Sequence, residues 1–215
     1  MKPFFSIFLI VFIPFLAYGT AIVLNHTILW GYKKASSELE FPEKLSPRAT
    51  HARRLKLTSV LFIFYGLVLW TAVSWPLLLT YIIYAAILAA IIIMDFEQQI
   101  ILNTFVLALA LLALAATPVL SAALTERILA GAGSFAVFLL LAVLTRGGIG
   151  GGDIKLIGAL GLFLGLDRII FTIVCGIIAG GLVSLFLLST KRKKRKDAIA
   201  YGPYFAIAAM IALFV

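Results

Sequence analysis

The chain has 215 residues, of which 63% are hydrophobic and 13% charged, and it carries a formal net charge of +9. Soluble domains are about 45–50% apolar and about 25% charged, so this composition excludes a water-soluble globular protein and predicts an all-α integral membrane protein. The lone cysteine, Cys175, excludes a disulfide framework or a thiolate zinc site within one chain.

A membrane-crossing helix needs roughly 20 apolar residues. The first candidate runs from Pro3 to about Trp30, so residues 1–30 are read as the first transmembrane helix. It is long for a cleaved signal peptide, and Ala17-Tyr18-Gly19 is a poor cleavage site, so a retained helix is expected. Residues 31–56 are the one sizeable polar segment, a short basic cytoplasmic loop. Residues 57–215 then form a seven-helix membrane core. Leu57–Met94 is uncharged and long enough for two helices, punctuated at Ser74-Trp75-Pro76, with Trp70 and Trp75 suited to an interfacial belt. Further spans are expected over Ile100–Leu120, Ile128–Thr145, Asp153–Leu166, Ile169–Leu188 and Ala198–Val215, about eight in all.

Lys and Arg set the orientation, because cytoplasmic loops collect them. Placing residues 31–56 inside puts Lys33, Lys34, Lys44, Arg48, Arg53, Arg54 and Lys56 there, and alternation adds Arg146, Lys155 and the run Lys191–Lys196. Both termini are then outside. The Lys191–Lys196 run reads as a topology signal contacting anionic headgroups. With no soluble basic face carrying interleaved aromatics, the net charge is attributed to topology and not to nucleic-acid binding.

Two carboxylates end or open apolar stretches. Asp95 closes the third span, and Asp153 closes the run Gly150-Gly151-Gly152. Acids inside a membrane are expensive and by default functional. Two spans separate them, so parity returns both to one face. The Asp153 span is short, roughly 21 Å of helix at 1.5 Å per residue, against a hydrocarbon slab of about 30 Å. A wet notch at that depth follows, since non-helical backbone is tolerated there only in protein or along water. The glycines at 147, 148, 150, 151 and 152 are expected to supply positive φ and close backbone approach, so that a peptide can lie against them. Blander readings stand beside this one: Asp153 as a simple helix N-cap, Asp95 as an interfacial residue, the glycines as packing elements. Gly176 and Gly180 read as helix packing. His26 and His51 lack companions for a metal site.

The segment Arg146-Gly-Gly-Ile-Gly-Gly-Gly-Asp153-Ile-Lys155-Leu156 resembles the GxGD signature of the type IV prepilin peptidases, with small residues following at Gly158, Gly161 and Gly165. Asp95-Phe-Glu97-Gln-Gln-Ile100-Ile101-Leu102-Asn103 resembles the family's first-aspartate segment, and Tyr201-Gly202-Pro203-Tyr204 its C-terminal Gly-Pro element. The resemblance covers roughly Leu77 to Val215. It implies an intramembrane aspartic endopeptidase with Asp95 and Asp153 as catalytic residues and Gly150, Gly151, Gly152, Lys155 and Glu97 in substrate-binding or supporting roles. It further implies a multi-pass protein of the cytoplasmic (inner) membrane acting on prepilin or pseudopilin precursors of type IV pilus or type II secretion systems. No metal is implied, and S-adenosylmethionine only if the chain also N-methylates its product. The chain departs from the family at Leu102, where a proline is usual, and in lacking the Cys-x-x-Cys loop of the bifunctional members. The bifunctional enzyme and a proton-coupled membrane transporter remain as alternatives.

Overall fold

A computed structural model describes residues 3–35, 47–71, 74–146, 148–191 and 200–215. The described residues form eight α-helices, α1 (Pro3–Lys34), α2 (Pro47–Thr71), α3 (Trp75–Gln98), α4 (Asn103–Ala115), α5 (Leu124–Leu144), α6 (Gly151–Leu164), α7 (Leu166–Ser189) and α8 (Gly202–Ile211), the last running into a 3-10 turn at Ala212–Phe214. No strand occurs among the described residues. The protein is an all-helical membrane protein. Among the described residues, four stretches are long and apolar enough to cross a bilayer: Phe12–Lys34, Trp75–Gln98, Leu124–Leu144 and Leu166–Ser189. The helices α4, α6 and α8 are apolar but shorter.

Helix boundaries follow local chemistry. Ser74 caps α3, its hydroxyl accepting from the Leu77 N–H at 3.4 Å, with Pro76 in the first turn, where a missing N–H does no harm. At its other end Gln99 turns left-handed (φ 54) and its N–H returns to the Asp95 carbonyl. The α4 helix is shorter than the Ile100–Leu120 expectation. Extended backbone at Leu102 delays its start, and Pro118 disfavours helix at the residue before it, so the chain leaves α4 at Ala115. Gly165, at φ 82, breaks the chain between α6 and α7, ending the Asp153–Leu166 expectation at Leu164. Within the basic segment 31–56, helix persists to Lys34 and resumes at Pro47. The rest of that loop, with Lys44, and residues 192–196 of the basic run lie outside the described residues.

The helix at the centre is α3. Of its apolar window 78% is buried, against 28% for α1, 33% for α5 and 22% for α7. It packs against α2, α8 and α4, while α6 packs against α5, α4, α7 and α8. The helices α4 and α8 therefore both touch the two acid-bearing helices. Where α7 meets α8 the approach is close: a Cβ at Gly176 would stand 2.3 Å from the Phe205 ring, and one at Gly180 would stand 2.6 Å from the Tyr201 ring. Outward faces of α5 and α7 carry exposed Leu140, Val143, Leu144, Leu182 and Leu185, as lipid contact requires.

Candidate active site

Asp95 lies in the last turn of α3 and is 5% exposed. Asp153 lies in the first turn of α6, half-buried. The two are near enough for the charge of Asp153 to act on Asp95. Parity along the sequence led to the expectation of a common face; the structure brings the two acids into one site. Ile101, in the turn after α3, fills the space between the starts of α6 and α8. A Cβ at Gly152 would stand 3.1 Å from Ile101 Cβ, and one at Gly202 would stand 2.9 Å from Ile101 Cδ1 and 2.7 Å from Asp95 Oδ2. The Tyr201-Gly202-Pro203 entry to α8 thus abuts the first acid directly.

Each carboxyl group keeps one buried oxygen, Asp95 Oδ2 and Asp153 Oδ1, without a hydrogen-bond partner among the described residues. Buried polar atoms are nearly always paired, and exceptions mark sites where water or a reaction is accommodated. Asp153 is not the N-cap of α6. Gly150 holds that position, and no side-chain capping bond is made. The simple capping reading therefore fails, whereas the placement of an anion in the first turn of a helix is favourable.

The glycines act differently from expectation. Gly148, Gly150, Gly151 and Gly152 have no positive φ; the left-handed residue here is Arg146, at φ 53, and Gly147 lies outside the described residues. What these glycines contribute is the absence of a side chain. Gly150 would place a Cβ 3.3 Å from Asp153 Oδ2, Gly152 would crowd Ile101, and Gly151 faces open space. A peptide backbone can approach Asp153 along that open side.

Lys155 is exposed and its ammonium donates to Asn103 Oδ1 at 3.0 Å, joining the first turns of α6 and α4. Glu97 is buried and turned away from this group: its carboxylate accepts from Arg53 Nε at 2.6 Å. Asn25 Oδ1 also accepts from Arg53, at 3.4 Å, and the guanidinium lies 5.2 Å from the centre of the Tyr32 ring. Reading the sequence treated Arg53 as one of several loop cations. The missed signal was periodicity: Arg53 continues the stripe Leu57, Leu61, Tyr65 and Val68, every member of which is buried. Asn25 sits likewise among Ala17, Ala21, Leu24, Ile28 and Tyr32.

The sequence model of the type IV leader peptidase family matches residues 82–185, a stretch that contains both acids and the glycine run. This segment belongs to the type IV leader peptidase family. The chain is similar to a prepilin leader peptidase/N-methyltransferase of Legionella pneumophila, 28% identical over 134 residues, covering 60% of this chain and 47% of that protein. It is similar to one of Xanthomonas campestris pv. campestris, 37% identical over 67 residues, 31% of this chain and 23% of that protein. A third, of Bacillus subtilis, is 28% identical over 85 residues, 40% of this chain and 34% of that protein. The chain thus spans less than half the length of each of these curated relatives. No solved structure matches it. The leader peptidase segment begins within α3 and ends within α7, so Asn25, Tyr32, Arg53 and Gly202 all lie outside it.

Proposed function

We propose that the protein is an intramembrane aspartic endopeptidase that removes the short basic leader of prepilin-like precursors at the cytoplasmic face of the membrane. The observation that carries this reading is the convergence of Asp95 and Asp153, each with an orphaned buried oxygen, inside the leader peptidase segment. The names of the relatives support the substrate class.

Two neighbouring carboxyl groups share the work of hydrolysis by holding one proton between them. The ionised member takes a proton from water as the water oxygen attacks the peptide carbonyl. The protonated member donates to the carbonyl oxygen, giving a neutral tetrahedral intermediate. Collapse breaks the C–N bond: the proton taken from water passes to the leaving amine, and one hydroxyl of the intermediate returns its proton to the other carboxylate, restoring the shared-proton pair. No covalent enzyme intermediate forms. The two acids titrate as a pair, so the roles belong to the dyad and not to fixed members. The open side of Gly151 supports an extended substrate backbone beside Asp153.

Eight spans with both termini outside complete the proposal. The basic residues at the α1–α2 connection and after α7 then face the cytoplasm, and a basic leader stays on the side of the acids. The test is cleavage of a prepilin-like precursor in membranes. Asp95→Asn and Asp153→Asn should each abolish it, whereas Glu97→Gln, which keeps an oxygen toward Arg53, should lose less. Full activity in either Asn variant rejects the dyad.

A further inference from the structure

Arg53 is fully buried, on α2, outside the segment that matches the leader peptidase family. An arginine is rarely placed so, because its charge must be paired and its donors satisfied. Here the partners come from three directions. Glu97 on α3 takes Nε at 2.6 Å, Asn25 on α1 takes a terminal nitrogen at 3.4 Å, and the Tyr32 ring of α1 covers the guanidinium at 5.2 Å. Glu97 is two residues beyond Asp95, in the same last turn of α3, and Tyr32 lies within electrostatic range of both Glu97 and Asp95. One residue away, Gly31 lets α1 close onto the turn that follows: a Cβ there would stand 2.4 Å from Leu102 Cδ1. The N-terminal hairpin therefore holds the last turn of α3 at Glu97 and the turn after it at Leu102, both just beyond Asp95.

A pure anchor would need no such device. Apolar packing of α1 and α2 on α3 would hold a helix in place at no desolvation penalty, and buried ion pairs are on average poor stabilisers. What a buried, charge-assisted hydrogen bond supplies is direction: the Nε–H of the planar guanidinium fixes the Glu97 oxygen in position and distance while a terminal nitrogen is held by Asn25.

We propose that Arg53 is a positioning residue of the active site, acting through Glu97 to hold the last turn of α3, and with it the Asp95 carboxyl group, at the orientation that meets Asp153. The proposal rests on the aspartic dyad reading, and its test separates the two.

The experiment compares Arg53→Met, Glu97→Met, the double variant R53M/E97M and Arg53→Lys in the full chain, with melting temperature, kcat and KM measured on the same membrane preparations. Arg53→Met removes the cation beside the buried Glu97 carboxylate, so its melting temperature falls, and the double variant recovers most of that loss. Positioning makes a second demand that folding alone does not. In the double variant kcat stays about ten- to a hundred-fold below that of the unaltered chain, with KM little changed, as expected for a misplaced catalytic group. Arg53→Lys keeps the charge but not the planar guanidinium that reaches Glu97 and Asn25 together, and falls between. A double variant with unaltered kcat overturns the proposal, as does an Arg53→Met protein with full kcat per folded molecule.

Labelling by a water-soluble carbodiimide, quantified separately at Asp95 and Asp153 by mass spectrometry, reads the same geometry without any substrate. The expected result is a several-fold change at Asp95 in the double variant and little change at Asp153. Equal labelling of Asp95 in the double variant and the unaltered chain overturns the proposal even if no precursor is cleaved. Active Asp95→Asn protein, by contrast, rejects the dyad and leaves the labelling result to decide where Arg53 holds Asp95.

Discussion

Tyr84 and Phe163 stack with ring centroids 4.0 Å apart and planes 9° from parallel. One ring belongs to α3 and the other to α6. Asp95 lies about three turns beyond Tyr84, and Asp153 about three turns before Phe163. The stack and the acid pair are thus two rungs between the same antiparallel helices, and the rungs have nearly equal spacing along both. Between them, α4 and α8 fill the gap. The stack therefore fixes the axial register in which the acids meet.

Removing the stack should loosen that register. Phe163→Ala deletes a ring that is 2% exposed, a change worth about 3–5 kcal/mol in a packed core. Tyr84→Phe keeps the stack and loses only the hydroxyl that donates to the Ala209 carbonyl at 3.2 Å, a bond of about 0.6 kcal/mol in membrane proteins. Thermal unfolding in detergent should rank the two variants in that order. Cleavage per folded molecule should fall in Phe163→Ala and hold in Tyr84→Phe. The reverse ranking would remove the stack from the account of the site.

Two glycines near the acids should respond in opposite ways. A Cβ at Gly202 would come within 2.7 Å of Asp95 Oδ2 and 2.9 Å of Ile101 Cδ1. Gly202→Ala must therefore push Asp95, Ile101 or the start of α8 aside, and cleavage should drop mainly through kcat. A Cβ at Gly151 meets nothing within 4 Å. Gly151→Ala should fold as before, and if the substrate strand passes there, KM should rise. Side-by-side kinetics of the two variants check this. A rise in KM at Gly202 with none at Gly151 would place the substrate on the wrong side of Asp153.

Leu102, immediately after the α3 turn, has a backbone that already suits proline. Its φ is −66 and ψ 129, within the range a pyrrolidine ring enforces, and it immediately precedes α4. Leu102→Pro should keep the turn after Asp95. It gives up the contact of the leucine side chain with Gly31 on α1. A folded, active protein with a slightly lowered melting temperature is expected. Loss of folding would mean that the grip of α1 on this turn matters more than the turn itself.

The sequence carried the acids and their common face because both arguments are coarse. A carboxylate in hydrocarbon is conspicuous, and parity needs only a count of crossings. It did not carry the true length of α4 or the bounds of α6, which starts and ends two residues earlier than expected, since polar and left-handed residues at helix ends act locally while hydropathy averages over many positions. The glycine run was legible as a place of close approach and illegible in conformation: Arg146, not a glycine, took the positive φ before α6. Arg53 was hidden for another reason. Its charge matched the topology rule so well that its position on the buried stripe of α2 went unweighed, although Leu57, Leu61 and Tyr65 define that stripe. Glu97 was tied to Asp95 by proximity in sequence, but its partner lies 44 residues earlier and on another helix.

Arg127, the other fully buried arginine, should behave in the opposite way to Arg53. It sits in the first turns of α5, at the far end of the helices from the acids. Its Nε donates to the Leu162 carbonyl at 2.9 Å, a terminal nitrogen to Thr117 Oγ1 at 3.3 Å, and the other terminal nitrogen to the Ala113 carbonyl. Ala113 and Leu162 belong to the last turns of α4 and α6, whose carbonyls have no helical partner and whose dipoles favour a cation. The neighbouring Glu126 accepts the Leu166 N–H at 3.0 Å, tying the start of α7 to the same corner. This is a clasp of helix ends, with no link to Asp95 or Asp153. Arg127→Met strands those carbonyls and should lower stability by about 3 kcal/mol, the scale of charge-assisted bonds. The folded fraction should keep its kcat and KM. Measuring both quantities on Arg127→Met beside the Arg53 and Glu97 variants distinguishes a fastening from a positioning device, and a kcat loss in folded Arg127→Met protein would show that the two ends of the bundle are coupled.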